Sequence, residues 1–353
     1  MPCDMITSMQ QPDILALAPE KLLPWFDGHA RDLPWRADRE PYHVWLSEIM
    51  LQQTRTEAVK GYYARFLDQL PDIPSLAGAD PETLNKLWEG LGYYSRVRSL
   101  HAAAQIIMER FGGVFPRDHA EIRALPGIGD YTAGAICSIC FGAPTPAVDG
   151  NVLRVVARLT GDGRCVDEEK TRREIREALR AVYPAGRCGD FTQALMELGA
   201  TVCLPNGAPD CAACPMAEVC QSAGGGWKDL PVRRAKKARR REELTVFVLR
   251  CGEKTAVRKR PDSGLLAGLW EFPNVPGHLD APAAVRTVEA WGTSPRELER
   301  EMRRTHVFTH VEWDMRCFCI RCGVAPAGFV WATEEELHGK YALPTAFRMF
   351  RDA

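Results

Sequence analysis

With 353 residues, 46% of them hydrophobic and 26% charged, the chain is long enough for two or three domains with their own cores, and this composition excludes an intrinsically disordered protein. A formal charge of −1 gives no overall attraction to a polyanion, so a nucleic-acid reading has to rest on where the basic residues lie. The opening Met1–Glu20 has no basic start followed by an apolar run, which argues against a secretory or transit peptide, and the protein is expected to be cytoplasmic.

From Pro41 to Ala200 the chain reads as successive amphipathic helices, among them Pro41–Thr54, Pro81–Leu91, Val97–Arg110 and Glu168–Val182. Tyr131–Val148 is uncharged, but Gly134, Gly142, Pro144 and Pro146 interrupt it, so a buried helix followed by a loop is expected rather than a membrane span. After Ser222-Ala-Gly-Gly-Gly-Trp227 come seven basic residues within the nine positions Arg233–Arg241, the pattern of a solvated connector. Beyond it, Leu244–Cys251, Lys254–Lys259 and Val311–Ile320 alternate like strands, with a helix near Ala281–Trp291. The expected organisation is an all-α domain over 1–225, a connector over 226–243 and an α+β domain over 244–353.

Thirteen cysteines without a signal peptide point to a metal rather than to disulfides. Cys203, Cys211, Cys214 and Cys220 stand as Cys-x7-Cys-x2-Cys-x5-Cys, spacings that let one loop wrap four thiolates around an inorganic core. Zinc and an iron–sulfur cluster both suit four thiolates. Earlier in the chain, Leu125-Pro-Gly-Ile-Gly129 puts Gly127 and Gly129 at a turn entering a helix, where exposed backbone donors can hold phosphate regardless of sequence and carbonyls leave room for a monovalent cation. An ordinary turn before a helix would read the same way, and a turn or cap aspartate would explain Val148-Asp-Gly-Asn-Val152.

Taken together and in this order, hairpin, aspartate and cysteine loop resemble the helix-hairpin-helix glycosylases of the endonuclease III superfamily, whose loop holds a 4Fe-4S cluster. That family usually has six residues in the first gap where this chain has seven. Trp45-Leu-Ser-Glu-Ile-Met-Leu-Gln-Gln-Thr54 resembles the MutY-type, adenine-specific branch, and the likeness runs from Leu33 through the C-terminus. It implies a base-excision DNA glycosylase acting on double-stranded DNA that carries adenine opposite 8-oxoguanine or guanine, as a monomer. Two rival readings are a bifunctional glycosylase-lyase and a non-catalytic iron–sulfur DNA-binding protein.

The resemblance assigns roles residue by residue. Glu48 is implied as the acid that protonates the adenine ring so that the base leaves neutral, and the apolar Trp45, Leu46, Ile49 and Met50 around it suit a raised carboxyl pKa. Asp149 is implied to stabilise an oxocarbenium-like sugar, with Asn151 orienting the carboxylates. Where lyase-competent relatives carry lysine the chain has Tyr131, which cannot form a Schiff base and implies a monofunctional enzyme. Arg36 falls at the adenine pocket. Gln52, Gln53, Leu91 and Tyr93 match the segments that enter the base stack when a nucleotide is extruded.

In the C-terminal third, Gly264–Pro273 resembles Nudix-type pyrophosphohydrolases of oxidised guanine nucleotides, but no Arg-Glu-x-x-Glu-Glu follows, so the domain is read as a recognition module. Phe308-Thr309-His310 matches the family's Phe-Ser-His loop that contacts 8-oxoguanine, with threonine in place of serine.

Overall fold

The structure is a computed structural model that describes residues 11–235 and 238–351; Lys236 and Lys237 of the basic connector, and the opening segment Met1–Gln10, lie outside the described residues. By internal contacts the chain divides into two units: the residues up to Ala77 with Ser99–Ala235, and Gly78–Arg98 with Lys236–Ala353. The division inside the connector follows the composition shift. That 78–98 groups with the strands was not expected from its helical periodicity, and its side chains supply the reason. Glu82 pairs with Lys259 and accepts from Trp270 Nε1 at 2.9 Å. Glu89 accepts from the Leu343 backbone N–H at 2.8 Å, and Arg98 donates to the Ala267 carbonyl at 3.1 Å.

The first unit is helical: α1 (Gln11–Ala16), α2 (Ala18–His29), α3 (Pro41–Leu51), α4 (Thr56–Gln69) and α5 (Ile73–Ala77). Helix α6 (Pro81–Leu87) lies in the 78–98 segment, and α7 (Ser95–Phe111), α8 (His119–Arg123), α9 (Asp130–Phe141), α10 (Gly150–Thr160), α11 (Glu169–Ala181) and α12 (Cys188–Thr201) follow. Aspartates start several of them: Asp80, Asp118 and Asp149 each accept from backbone N–H groups of the first turn, satisfying donors that a helix start leaves unpaired. Gly142 and Gly161 end α9 and α10 in the left-handed conformation that glycine adopts without a Cβ clash. Tyr131–Val148 is thus one buried helix and a loop, and among the described residues no helix is long and apolar enough to cross a membrane.

Helix α12 packs against α2, α9 and α10. Leu195 and Leu198 of α12, Val152 and Val156 of α10, and Leu22 of α2 share one apolar cluster that reaches Met216 in the cysteine loop. Close approach of α10 and α12 depends on Gly199, where a Cβ would lie 2.6 Å from Asn151 Cβ.

The second unit is built on a mixed sheet of β1 (Arg240–Cys251), β2 (Lys254–Lys259), β3 (Trp270–Glu271), β4 (Asn274–Pro276), β5 (Pro295–Val307), β6 (Val311–Cys322) and β7 (Val330–Thr333). Its main order is β3-β2-β1-β6-β5; β1 and β6 run parallel, with Arg240 opposite Val311, and the other pairs are antiparallel. Both faces are covered along the second half of β6, where Cys317, Phe318, Cys319 and Ile320 are all buried. Val246, Met315 and Cys317 face α14 (Glu334–Gly339) and α15 (Thr345–Arg348). Phe247, Phe318 and Ile320 face α13 (Ala281–Ala290).

Gly199→Ala is expected to force α10 and α12 apart and to destabilise the chain by about 1–3 kcal/mol despite alanine's better helix propensity. Thermal unfolding checks this; an unchanged or raised Tm would refute the close packing at Asn151.

Candidate active site and its supports

The catalytic candidates converge in the first unit on a cavity of about 830 Å³. Helix α3 delivers Glu48, α9 delivers Tyr131, and the start of α10 delivers Asp149 and Asn151. Gln52, Gln53, Gly129 and Arg36 line the same space. The predicted helix over 41–54 stops at Leu51, and the backbone then turns sharply, with Gln53 at φ 58°. A non-glycine residue held there stores strain, as is common where a side chain must be aimed.

Glu48 is 7% exposed, on a helix whose Trp45, Leu46, Ile49 and Met50 are also buried. Burial pushes its pKa up from an ordinary 4.5 to about 7; the Tyr131 hydrogen bond and Arg36 oppose the rise, and the Asp149 charge adds to it. Tyr131 Oη donates to Glu48 Oε2 at 2.6 Å, and burial with two carboxylates nearby holds the phenol well above its usual pKa, so it remains a donor.

Asp149 combines both readings of its sequence. It is the N-cap of α10, with Oδ1 accepting from Val152 N–H at 2.8 Å, and its Oδ2 accepts from Asn151 Nδ2 at 2.8 Å while it lines the cavity. Burial raises its pKa, countered by those two donors.

Sequence patterns missed the groups that hold these side chains. Glu197, fully buried in α12, takes Arg31 Nε at 2.7 Å and Arg36 Nη2 at 2.8 Å. Although burial opposes ionisation, the two guanidiniums keep the Glu197 pKa low, and Arg36 is fixed at the cavity wall. Arg154, one turn beyond Asn151, donates to Asn151 Oδ1 at 2.8 Å, to the Gly199 carbonyl at 2.7 Å and to the Cys203 carbonyl at 2.8 Å. The only signal for it was an arginine on the buried face of α10.

Gly127 sits at φ 76° with a Cβ position 2.6 Å from Ser99 Cβ, so glycine is required there by both backbone and packing. Among the described residues, nothing beyond its chain neighbours lies within 4 Å of a Cβ on Gly129.

Cys203, Cys211, Cys214 and Cys220 surround one small apolar cavity with Val155, Leu159, Leu198 and Val202. The longer first gap is taken up by an exposed loop: Asp210 N–H returns to the Val202 carbonyl at 3.0 Å and Gly207 turns at φ 79°. Arg158 anchors this end, donating to Leu204 O at 2.9 Å, Leu230 O at 2.9 Å and Cys203 Sγ at 3.4 Å.

In the second unit, Phe308, Thr309 and His310 join β5 to β6 and line a cavity of about 330 Å³ with Tyr93, Arg98, Leu266 and His306. Tyr93 is 44% exposed at φ 48°, and its hydroxyl lies 2.6 Å from Thr309 Oγ1. Arg96 stacks on the rings of Tyr93 and Trp88 and donates to the Leu91 and Gly92 carbonyls, bracing the turn from below. Leu91 does not share this exposure. At 6% exposed it packs inward, its backbone N–H bonded to the Trp88 carbonyl at 3.1 Å, so its expected contact with DNA is not available in this conformation.

Among the described residues, Glu243, His278 and Asp314 are the one group of three ligand atoms within 4.8 Å of one another. Asp314 is already paired with Arg241 at 2.6 Å and with Arg303, which hold its carboxyl far below the usual range, so no cation site is built there.

Residues 46–181 match the HhH-GPD superfamily of base excision DNA repair proteins, and residues 245–353 match the NUDIX domain. The chain is 35% identical to the adenine DNA glycosylase of Mus musculus, over 94% of this chain and 77% of that protein. Identity to the adenine DNA glycosylase of Schizosaccharomyces pombe is 32%, over 90% of this chain and 85% of the relative. Among solved structures, a thermostable thymine-DNA glycosylase aligns with 27% identity and a TM-score of 0.54, covering 60% of this chain and 95% of its own. An endonuclease III–DNA complex shares the fold at 23% identity and a TM-score of 0.52, covering 61% of this chain and 97% of its own. With its helix-hairpin-helix and Nudix parts in this order, the chain belongs to the adenine DNA glycosylases.

Proposed function

We propose that the protein removes adenine paired with 8-oxoguanine or guanine in duplex DNA by hydrolysing the N-glycosidic bond, leaving an abasic site. The observation that carries this reading is the pairing, in one cavity, of a carboxyl group held near neutrality with a carboxylate bonded at a helix start.

Adenine is a poor leaving group as an anion. Glu48, protonated across the lower half of the physiological range, delivers a proton to the ring nitrogen N7 as the bond to the sugar lengthens. Tyr131 holds the Glu48 carboxyl in one orientation from the opposite wall. Asp149 faces the sugar as an anion and stabilises the positive charge that develops there, and Asn151, steadied by Arg154, fixes the Asp149 carboxylate. Water completes the hydrolysis. Among the described residues lining the cavity there is no lysine, so no Schiff base forms and strand cleavage is not part of the reaction.

Cys203, Cys211, Cys214 and Cys220 would hold a 4Fe-4S cluster, which supplies the loop with a rigid inorganic core. The four thiols line one small cavity with apolar walls, which suits a compact inorganic core held by thiolates. Tyr93, Thr309 and His310 read the base opposite adenine, and Gln53 fills the space that extrusion leaves.

Single-turnover assays with alkali treatment test the reading: adenine release from both mispairs is expected, and release from neither would sink it. Glu48→Gln should retain mispair binding and lose nearly all base release. Because the folded pKa of Glu48 lies above its unfolded value, its favourable contribution to stability is complete below about pH 4.5 and is lost as pH rises through 7. The same variant is therefore expected to be more stable than wild type at pH 8, by on the order of 1–3 kcal/mol, with the gap closing at pH 4. Equal stabilities at pH 8 would show that Glu48 is not buried as a charge. Tyr131→Phe removes a bond that lowers the Glu48 pKa, so the alkaline limb of the pH–rate profile should move to higher pH; a shift to lower pH would contradict the assigned donor direction. Iron and sulfide analysis should find both in wild type and a loss of both in Cys203→Ser, whereas stoichiometric zinc in wild type would overturn the cluster assignment.

A further inference from the structure

Two arginines at the cavity have no part in the chemistry above. Arg172, in the first turn of α11, and Arg233, the first residue of the basic run Arg233–Arg241, both line it. They share one carboxylate: Asp167 Oδ1 lies 3.2 Å from Arg172 Nη2 and 3.4 Å from Arg233 Nη1. The connector is pinned there by backbone bonds, from Val166 N–H to the Val232 carbonyl at 3.0 Å and from Arg234 N–H to Asp167 Oδ2 at 3.0 Å. Arg233 Nη2 points towards the start of α10, 3.6 Å from where a Cβ on Gly150 would stand.

Charge and geometry give the pair a preferred ligand. The other cavity arginines, Arg31 and Arg36, are closed onto Glu197 at 2.7 and 2.8 Å. Arg172 and Arg233 divide one negative charge between two positive ones, at distances longer than the 2.7–2.9 Å of a tight charge-assisted bond. This leaves one net positive charge, with donors to spare, beside the residue that follows Asp149. A nucleotide whose sugar faces Asp149 carries its flanking phosphates past this point.

We propose that Arg172 and Arg233, bracketed by Asp167, form a clamp for a phosphate flanking the extruded nucleotide, so that the connector contributes directly to the catalytic cavity. The clamp rests on the adenine-excision reading of that cavity. It engages when a nucleotide has left the stack, which separates it from general attraction between a basic connector and DNA.

The test is equilibrium binding of the full chain to two duplexes, one with a tetrahydrofuran abasic analogue opposite 8-oxoguanine and one fully matched. Arg233→Gln is expected to weaken binding to the first about tenfold and to the second less than twofold, with the salt slope on the first reduced by about 1. Replacing the phosphates flanking the analogue by neutral methylphosphonates one at a time should cost wild type a similar factor at one position and cost Arg233→Gln little there. Arg172→Gln should behave alike. Equal losses on both duplexes, or a methylphosphonate penalty undiminished in both variants, would overturn the clamp. Failure of the adenine-excision reading looks different: the wild-type chain itself would then not prefer the abasic analogue to the matched duplex.

Discussion

Arg154 is the interaction on which the helical unit's site depends. A buried guanidinium is costly unless its donors are used, and here they are spread over three segments: Asn151 at the start of α10, the Gly199 carbonyl of α12 and the Cys203 carbonyl where the cysteine loop begins. Removing it would take the arginine donor from the buried Gly199 carbonyl and from two half-buried acceptors, a larger penalty than the loss of three exposed bonds. The orientation of Asp149 is therefore set through Asn151 by the same side chain that fixes the first cysteine of the loop. This gives the cysteine loop at the far end of α12 a physical reason to matter at a cavity it does not line.

The two carboxylates of that cavity have different surroundings although they share it. Glu48 is buried and accepts one hydrogen bond from a neutral phenol. Asp149 is also buried, but it accepts from a backbone N–H and a side-chain amide at a helix start, donors that favour its charged form. Burial lifts both carboxyl groups, and at Asp149 two donors to the charged form oppose that rise where Glu48 has one. Neither behaviour belongs to the residue type alone.

Much of this was legible in the sequence, because the relevant signals are local. Helical periodicity, aspartate caps, the glycines of the hairpin and the cysteine spacing each depend on residues a few positions apart. Glu48 and Asp149 stood out through short motifs, and both line one cavity. What escaped was long-range. Arg31 and Arg36 meet Glu197 from more than a hundred residues away, and Arg154 finds acceptors across two helices. Leu91 was placed among the base-stack residues by the likeness of its segment to the family's, and such a likeness does not reveal which side chains of a turn point inward. The grouping of 78–98 with the sheet was hidden for the same reason: Glu82 and Glu89 look like solvated helix residues until Trp270 and the Leu343 N–H are placed beside them.

The bond between Tyr93 and Thr309 has a consequence for what this turn can offer to a ligand. One hydroxyl donates to the other at 2.6 Å, so one of the two hydroxyl hydrogens is engaged and the second is not used by this bond. A group that displaces the bond exchanges one hydrogen bond for another, a step with little net gain unless the new partner offers more than the old. The threshold for such an exchange is set by what the chain already satisfies within itself.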